Sequence, residues 1–347
     1  MPPQRCLGRG AFIVVTLSPG RRRWLVAGIG LVVSVVAAVV AVRGIDVEHT
    51  WQLMVDSDLR LLVLAVGVIA VQVLLRAGRW RLLLPVAPAR RPGLGRVVPV
   101  LLIGYLGNAV LPARLGEAVR AAVLARREGL STAETFGSVI LERVLDTLAL
   151  AVFALSAVAI VGLGSEFAPI GLLAIGVAAV AIVVLTAAPR FLAALRVGPF
   201  ARVVDAVVAI MRGAQVTHRP VTVAAAIGLC LVAWALDAAI YLLAARALGI
   251  DLPVHGAIVI SAVAALSTAI PSAPGFIGTL ELAISTVAQA FGVAPPAALA
   301  LAIVVHAVAL LPVALSGVVA AVVVGRDGSL AGIGAGLESD RRPATSP

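Results

Sequence analysis

Apolar residues run through this chain in long blocks separated by short polar links. Trp24–Val42, Leu59–Leu75, Thr135–Gly164, Ala168–Ala188, Val221–Leu248 and Ala297–Val324 each approach or exceed the roughly 20 residues that cross about 30 Å of hydrocarbon. They predict six full transmembrane helices. Two shorter blocks, Val97–Leu111 and Gly256–Ile270, each stop at a proline and are followed within a few residues by glycine and a further helical stretch. These predict broken, re-entrant helical hairpins. The expected fold is all-α, a polytopic integral membrane bundle. Residues 1–23 form a basic cytoplasmic N-terminus, residues 24–325 a single membrane domain and residues 326–347 a disordered cytoplasmic tail.

The polar links set the orientation. Arg5, Arg9 and Arg21–Arg23 place the N-terminus inside, because positive charge stays cytoplasmic. The link from Arg43 to Arg60 carries Asp46, Glu48, Asp56 and Asp58 and reads as external. The next link carries Arg76, Arg79, Arg81, Arg90, Arg91 and Arg96 and reads as internal. Arg114–Arg127 is again arginine-rich, which fits a first hairpin that dips in and returns. Residues 190–219 read as an interrupted, surface-lying segment. The spans flanking the second hairpin run opposite to those flanking the first. The second half is thus a candidate inverted copy of the first, as in many secondary transporters.

Composition sharpens this picture. The chain is 61% hydrophobic and 13% charged, with mean hydropathy +1.11. Soluble domains carry about 45–50% apolar and about 25% charged residues. The apolar blocks are also far longer than the roughly 10-residue strands of a membrane barrel. The net charge of +10 comes from arginine alone. Its placement beside apolar blocks points to membrane topology and lipid headgroups and away from nucleic acid. Two cysteines, Cys6 and Cys230, give neither a disulfide framework nor a metal-site spacing.

Candidate chemistry lies where ionisable residues enter apolar blocks, because each costs about 2.5–3.5 kcal/mol at a helix centre and so pairs or faces water. Around the first break stand Asn108, Pro112, Arg114, Gly116, Glu117 and Arg120. Arg114, Glu117 and Arg120 share one helical face at three-residue spacing, which also suits a plain amphipathic interfacial helix. Glu142, Arg143 and Asp146 open the next block. Arg143 and Asp146 can pair within the helix, and Arg114 or Arg120 is the natural partner of Glu142. This group reads as a headgroup-binding cavity or as a structural ion network. At the second break, Pro271 and Pro274 end one half-helix. Gly275 and Gly278 open the next, whose free N–H groups can hold an anion. Glu281 can cap that start or line the cavity. Asp237 and His306 are further polar residues in apolar blocks, with local hydrogen bonding the commoner role for such a histidine. No P-loop, HExxH pair, Gly-x-Ser-x-Gly elbow or Rossmann fingerprint occurs, so no cofactor or metal is expected.

The pattern Asn108-x3-Pro112-x-Arg114-x-Gly116-Glu117-x2-Arg120, then Glu142-Arg143-x2-Asp146, then Pro271-x2-Pro274-Gly275-x2-Gly278-x2-Glu281 resembles the lysylphosphatidylglycerol synthase transmembrane region, or flippase-like domain family. The resemblance covers roughly Leu59 to Val324. It implies handling or translocation of polar-headgroup lipids in a bacterial plasma membrane: aminoacyl-phospholipids, glycolipids or polyprenyl phosphates. The bifunctional members carry a cytoplasmic synthase after the membrane region. No such domain is expected here, so the lysyl transfer activity is not inherited and the chain is not expected to be an enzyme. The rival expectations are a non-catalytic membrane partner of a glycosyltransferase or other lipid-modifying enzyme, and a headgroup transferase using Glu142 or Asp146 as base.

Overall fold

The computed structural model describes residues 19–111, 115–161, 201–214, 219–268, 270 and 272–326, with isolated positions between 176 and 184. Apart from those isolated positions, the expected span Ala168–Ala188 lies outside the described residues, as do the basic N-terminus before residue 19, the tail beyond residue 326, Pro112, Arg114 and Pro271. The described chain is helical: α1 (Pro19–Val42), α2 (Val47–Val55), α3 (Leu59–Leu83), α4 (Leu94–Val110), α5 (Gly116–Glu128), α6 (Thr132–Val161), α7 (Ala201–Gly213), α8 (Pro220–Ala247), α9 (Val254–Ser267), α10 (Thr279–Ala290) and α11 (Pro295–Arg326). Among the described residues, α3, α8 and α11 are each long and apolar enough to cross a membrane, and α1–α2 adds a fourth if taken as one bent span. The molecule is a multi-pass helical membrane protein.

Two elements depart from the sequence reading. The acidic link after Val42 contains a helix, α2, bent by 88° from α1. Asp46 starts it by accepting the His49 N–H at 3.0 Å, an N-cap that satisfies one of the helix's free donors. More consequentially, the span that hydropathy ends at Leu75 continues to Leu83. Arg76 and Arg79 therefore sit within α3 and not in a cytoplasmic link.

α3 and α8 pack antiparallel along their lengths. Asp58 N–H donates to Ala247 C=O at one end, and further along Gln72 Nε2 donates to Ala233 C=O. α4–α5 and α9–α10 are hairpins that close at their open ends. Arg96 at the start of α4 meets Glu128 at the end of α5 at 3.2 Å, and the His255 ring at the start of α9 packs at a 60° tilt, 5.6 Å centroid to centroid, on Phe291 just past α10. Gly129, with φ +64°, ends α5 in the left-handed turn that glycine tolerates best. The hairpin tips meet where the turn Pro274–Phe276 packs on α4.

The helix pairings repeat under one exchange of elements, α2 for α7, α3 for α8, α4 for α9, α5 for α10 and α6 for α11. Thus α3–α4 corresponds to α8–α9, α5–α6 to α10–α11 and α3–α6 to α8–α11. Across the halves, α4–α11 corresponds to α9–α6, α3–α11 to α8–α6, and α2–α11 to α7–α6. Segment α7, expected on the surface, packs against α6 by a glycine-to-glycine approach of Gly137 and Gly213.

Candidate functional site

Most of the charge in the described membrane helices gathers where α3, α5 and α6 meet. Arg79 donates from Nη2 to Glu142 Oε1 at 2.7 Å and from Nη1 to Asp146 Oδ1 at 2.8 Å. Arg120 donates to the other oxygen of Glu142 at 2.9 Å. Arg143 reaches Asp146 at 3.4 Å, Glu142 at 3.4 Å and Glu117 at 3.5 Å. Three guanidinium groups thus face three carboxylates. Helical spacing explains the arrangement: Glu142 and Asp146 are one turn apart on α6, and Gln72, Arg76 and Arg79 follow at four and three residues on α3.

The heart of the cluster is sealed. The side chains of Glu142, Arg79 and Arg120 are 0%, 1% and 2% exposed. Trp80 lies 4.6 Å under the Arg120 guanidinium, a cation–π contact, and donates its indole N–H to Ser138 Oγ. Arg79 also touches Cys230 Sγ on α8 at 2.8 Å. The α4–α5 hairpin is pressed close by Gly104, Gly107 and Gly116, since a side chain at Gly116 would run into the Gly104 carbonyl and Asn108.

Two cavities lie beside this cluster. One, of about 340 Å³, is lined by Arg76, Arg143, Asp146, Trp234, Asp237 and Thr268. The other, of about 300 Å³, is lined by Arg76, Tyr105, Asn108, Gly275, Phe276 and His306. They share Arg76, Asp237, Tyr241 and Leu280. The second cavity touches the tips of both hairpins, with Asn108 from the first and Gly275 and Phe276 from the second.

The sequence-based site therefore divides. Arg143 and Asp146 line a cavity and pair with each other as expected, and Asp237, Asn108 and Gly275 also line cavities. Arg120 and Glu142 pair as expected but line neither cavity, because burial by Trp80 and Arg79 seals them. Glu117 supports Arg143 from α5. The start of α10 is not open to an outside anion. Glu281 Oε2 accepts the Gly278 N–H at 2.6 Å, and Oε1 meets His306 Nδ1 on α11. Gly278 holds φ +90°, and Pro274 opens the turn before it. Sequence reading missed Arg76, Arg79, Tyr105 and Trp234. The four-and-three spacing on α3 was the available signal for the first two.

Arginines also converge at the end of α3 and in the link that follows it. Arg81 donates to Pro92 C=O, and Arg91 donates to Leu82 C=O. Partial burial, with Arg219 and Arg81 nearby, holds Arg91 below the ordinary arginine range. The end of α3, the start of α4 and the start of α8 thus share one positively charged end.

A family model described as "Lysylphosphatidylglycerol synthase TM region" matches residues 27–317. The glycosyltransferase AglD of Haloferax volcanii is 32% identical over 164 residues, an alignment covering 46% of this chain and 26% of AglD. The chain thus spans about a quarter of the length of that relative.

Proposed function

The chain belongs to the lysylphosphatidylglycerol synthase transmembrane-region family, and from that premise we propose that it binds a polar-headgroup lipid in its paired cavities and carries the headgroup between leaflets. One observation carries this reading: a cavity among apolar helices that is lined by the tips of both hairpins, holds Arg76, Asn108, Asp237 and His306 in an otherwise largely apolar wall, and shares Arg76 and Asp237 with a second cavity. Moving a headgroup through hydrocarbon strips its water, and polar walls at depth replace that water.

The exchange of helix pairings supports an inverted repeat. Equivalent helices α3 and α8 run antiparallel, so the axis relating the halves lies across them. Hairpins entering from opposite faces and meeting at the centre suit alternating access. The arginine-rich end bearing Arg81, Arg91 and Arg219 faces the cytoplasm in this reading, and the end bearing Asp46, Asp58 and Asp251 faces outward. No nucleotide motif occurs, so the driving force is a lipid gradient, a coupled ion or a partner.

Purified protein in liposomes loaded with fluorescent lipids of several headgroup classes tests the proposal. At least one class should cross faster than in empty vesicles. Equal rates for every class would refute lipid translocation.

A second reading, a non-catalytic membrane partner of a glycosyltransferase, is favoured by the partial match to AglD. It predicts that deletion abolishes a glycosyltransferase activity although the isolated protein moves no lipid. The transferase reading finds less support at Glu142. Both of that residue's oxygens accept guanidinium hydrogens in a sealed site, which leaves no approach for a substrate proton.

A further inference from the structure

Arg79, Arg120 and Arg143 are each matched to carboxylates, and Arg76 is not. It lies one turn before Arg79 on α3 and lines both cavities. Its Nε, like those of Arg79 and Arg143, is buried without a hydrogen-bond partner. Asp237, which shares both cavities, turns Oδ1 to Gln72 at 3.1 Å.

Arg76 has company of one kind. Tyr105 lines the cavity between the hairpin tips, and its hydroxyl is buried without a partner. Trp234 lines the other cavity, and its indole Nε1 is likewise buried without a partner. Tryptophan and arginine nitrogens only donate, and a tyrosine hydroxyl donates readily. Asn108 Oδ1 is an orphaned acceptor in the same region, but it lies against the Gly116 backbone. Beside Arg76 the walls therefore hold buried donors left unmade, with the carboxylates Asp146 and Asp237 also in the wall of the first cavity. Buried donors left unmade are costly, and a ligand offering only acceptor oxygens and negative charge would satisfy them. The planar fork of arginine matches phosphate.

We propose that Arg76, with the Tyr105 hydroxyl and the Trp234 indole N–H, forms an oxyanion site for a phosphate group at the wall the two cavities share. Asp237 and Asp146, in the same walls, then face the remainder of the ligand and accept from its amino or hydroxyl groups. This deepens the lipid reading by naming the recognised group. It rests on that reading only for the source of the phosphate, which is a lipid headgroup or a free phosphate ester.

The test uses the full chain in detergent with three probes: dihexanoyl-phosphatidylglycerol, dihexanoylglycerol and inorganic phosphate. Titration calorimetry should show saturable binding of the phospholipid, at least about tenfold tighter than the neutral lipid. Arg76→Gln should erase that preference while leaving dihexanoylglycerol unaffected, and Arg76→Lys should restore part of it. Tyr105→Phe removes one oxygen and is expected to fold, so it keeps the test decisive if Arg76→Gln does not yield folded protein. It should weaken the phospholipid about threefold or more.

Equal affinity for the two lipids in the wild type, or unchanged preference in both variants, overturns the site. Inorganic phosphate binding as tightly as the phospholipid would keep the oxyanion site but overturn the lipid source. The liposome assay separates the two claims. A phosphate preference that depends on Arg76, without lipid movement, sinks translocation alone. Lipid movement by a protein with no phosphate preference sinks the oxyanion site alone.

Discussion

Glu142 concentrates the stability argument at the scale of single residues. Its carboxylate takes hydrogens from Arg79 and Arg120 with no exposure to water. Removing one partner of a buried pair leaves an uncompensated charge and costs about 3–5 kcal/mol. Glu142→Gln should therefore lower the unfolding midpoint in detergent sharply, read by fluorescence-detected gel filtration after heating. Asp146 borders a cavity, so Asp146→Asn should cost less, because water can reach the groups left behind. A wild-type-like midpoint for Glu142→Gln would mean that the cluster is not what holds α3, α5 and α6 together. Sequence reading paired Glu142 with an α5 arginine but left out Arg79. Ionisable residues lower hydropathy, so the predicted span stopped before the residues that matter most. The face shared by Gln72, Arg76 and Arg79 emerges only when the helix continues across them.

At the scale of elements, glycine sets how close the helices come. A Cβ on Gly116 would meet the Gly104 carbonyl and Asn108, whereas one on Gly95 would meet nothing within 4 Å. Overpacking of this kind costs about 1–3 kcal/mol. Gly116→Ala should destabilise the first hairpin by that amount and Gly95→Ala by less than about 0.5 kcal/mol. Parity between the two in the same thermal assay would deny that the hairpin is closely packed. The second hairpin has an outside brace. Ser34 on α1 accepts the Ala273 N–H at 2.8 Å, and Gly278 leaves room for the Ser34 carbonyl. Proline and glycine marked both hairpins in the sequence because they interrupt helices wherever they fall. Helix α2 escaped notice because its acidic residues read as topology signals, although Asp46 three residues before His49 is also a cap. The tip-to-tip meeting of the hairpins has no local signature, since it joins residues far apart in the chain.

For the whole molecule, the decisive question is which ends share a side. In the inverted-repeat reading, α4 begins and α5 ends at the cytoplasmic face, while α9 begins and α10 ends outside. Single cysteines replacing Leu94 and Ser131 should react with an impermeant maleimide only from within. Cysteines replacing Glu48 and Asp251 should react only from without. The assay is run with Cys6→Ser and with Cys230 left in place, fully buried. Opposite labelling of Leu94→Cys and Ser131→Cys would convert the first hairpin into crossing segments and dissolve the repeat. The division into polytopic helices was legible from block length alone. The pairing of α4 with α11 and of α9 with α6 was not, because hydropathy says which residues meet lipid and nothing about which helices meet each other.

The balanced ionic cluster has an electrical consequence. A membrane potential does work of about 2.3 kcal/mol per elementary charge per 100 mV, and three cations held against three anions move as a body with no net charge. Rearranging the scaffold should therefore be nearly indifferent to voltage. What the field can pull on is Arg76, Asp237 and whatever cargo sits between them, so any voltage dependence of lipid movement would report the sign of the load.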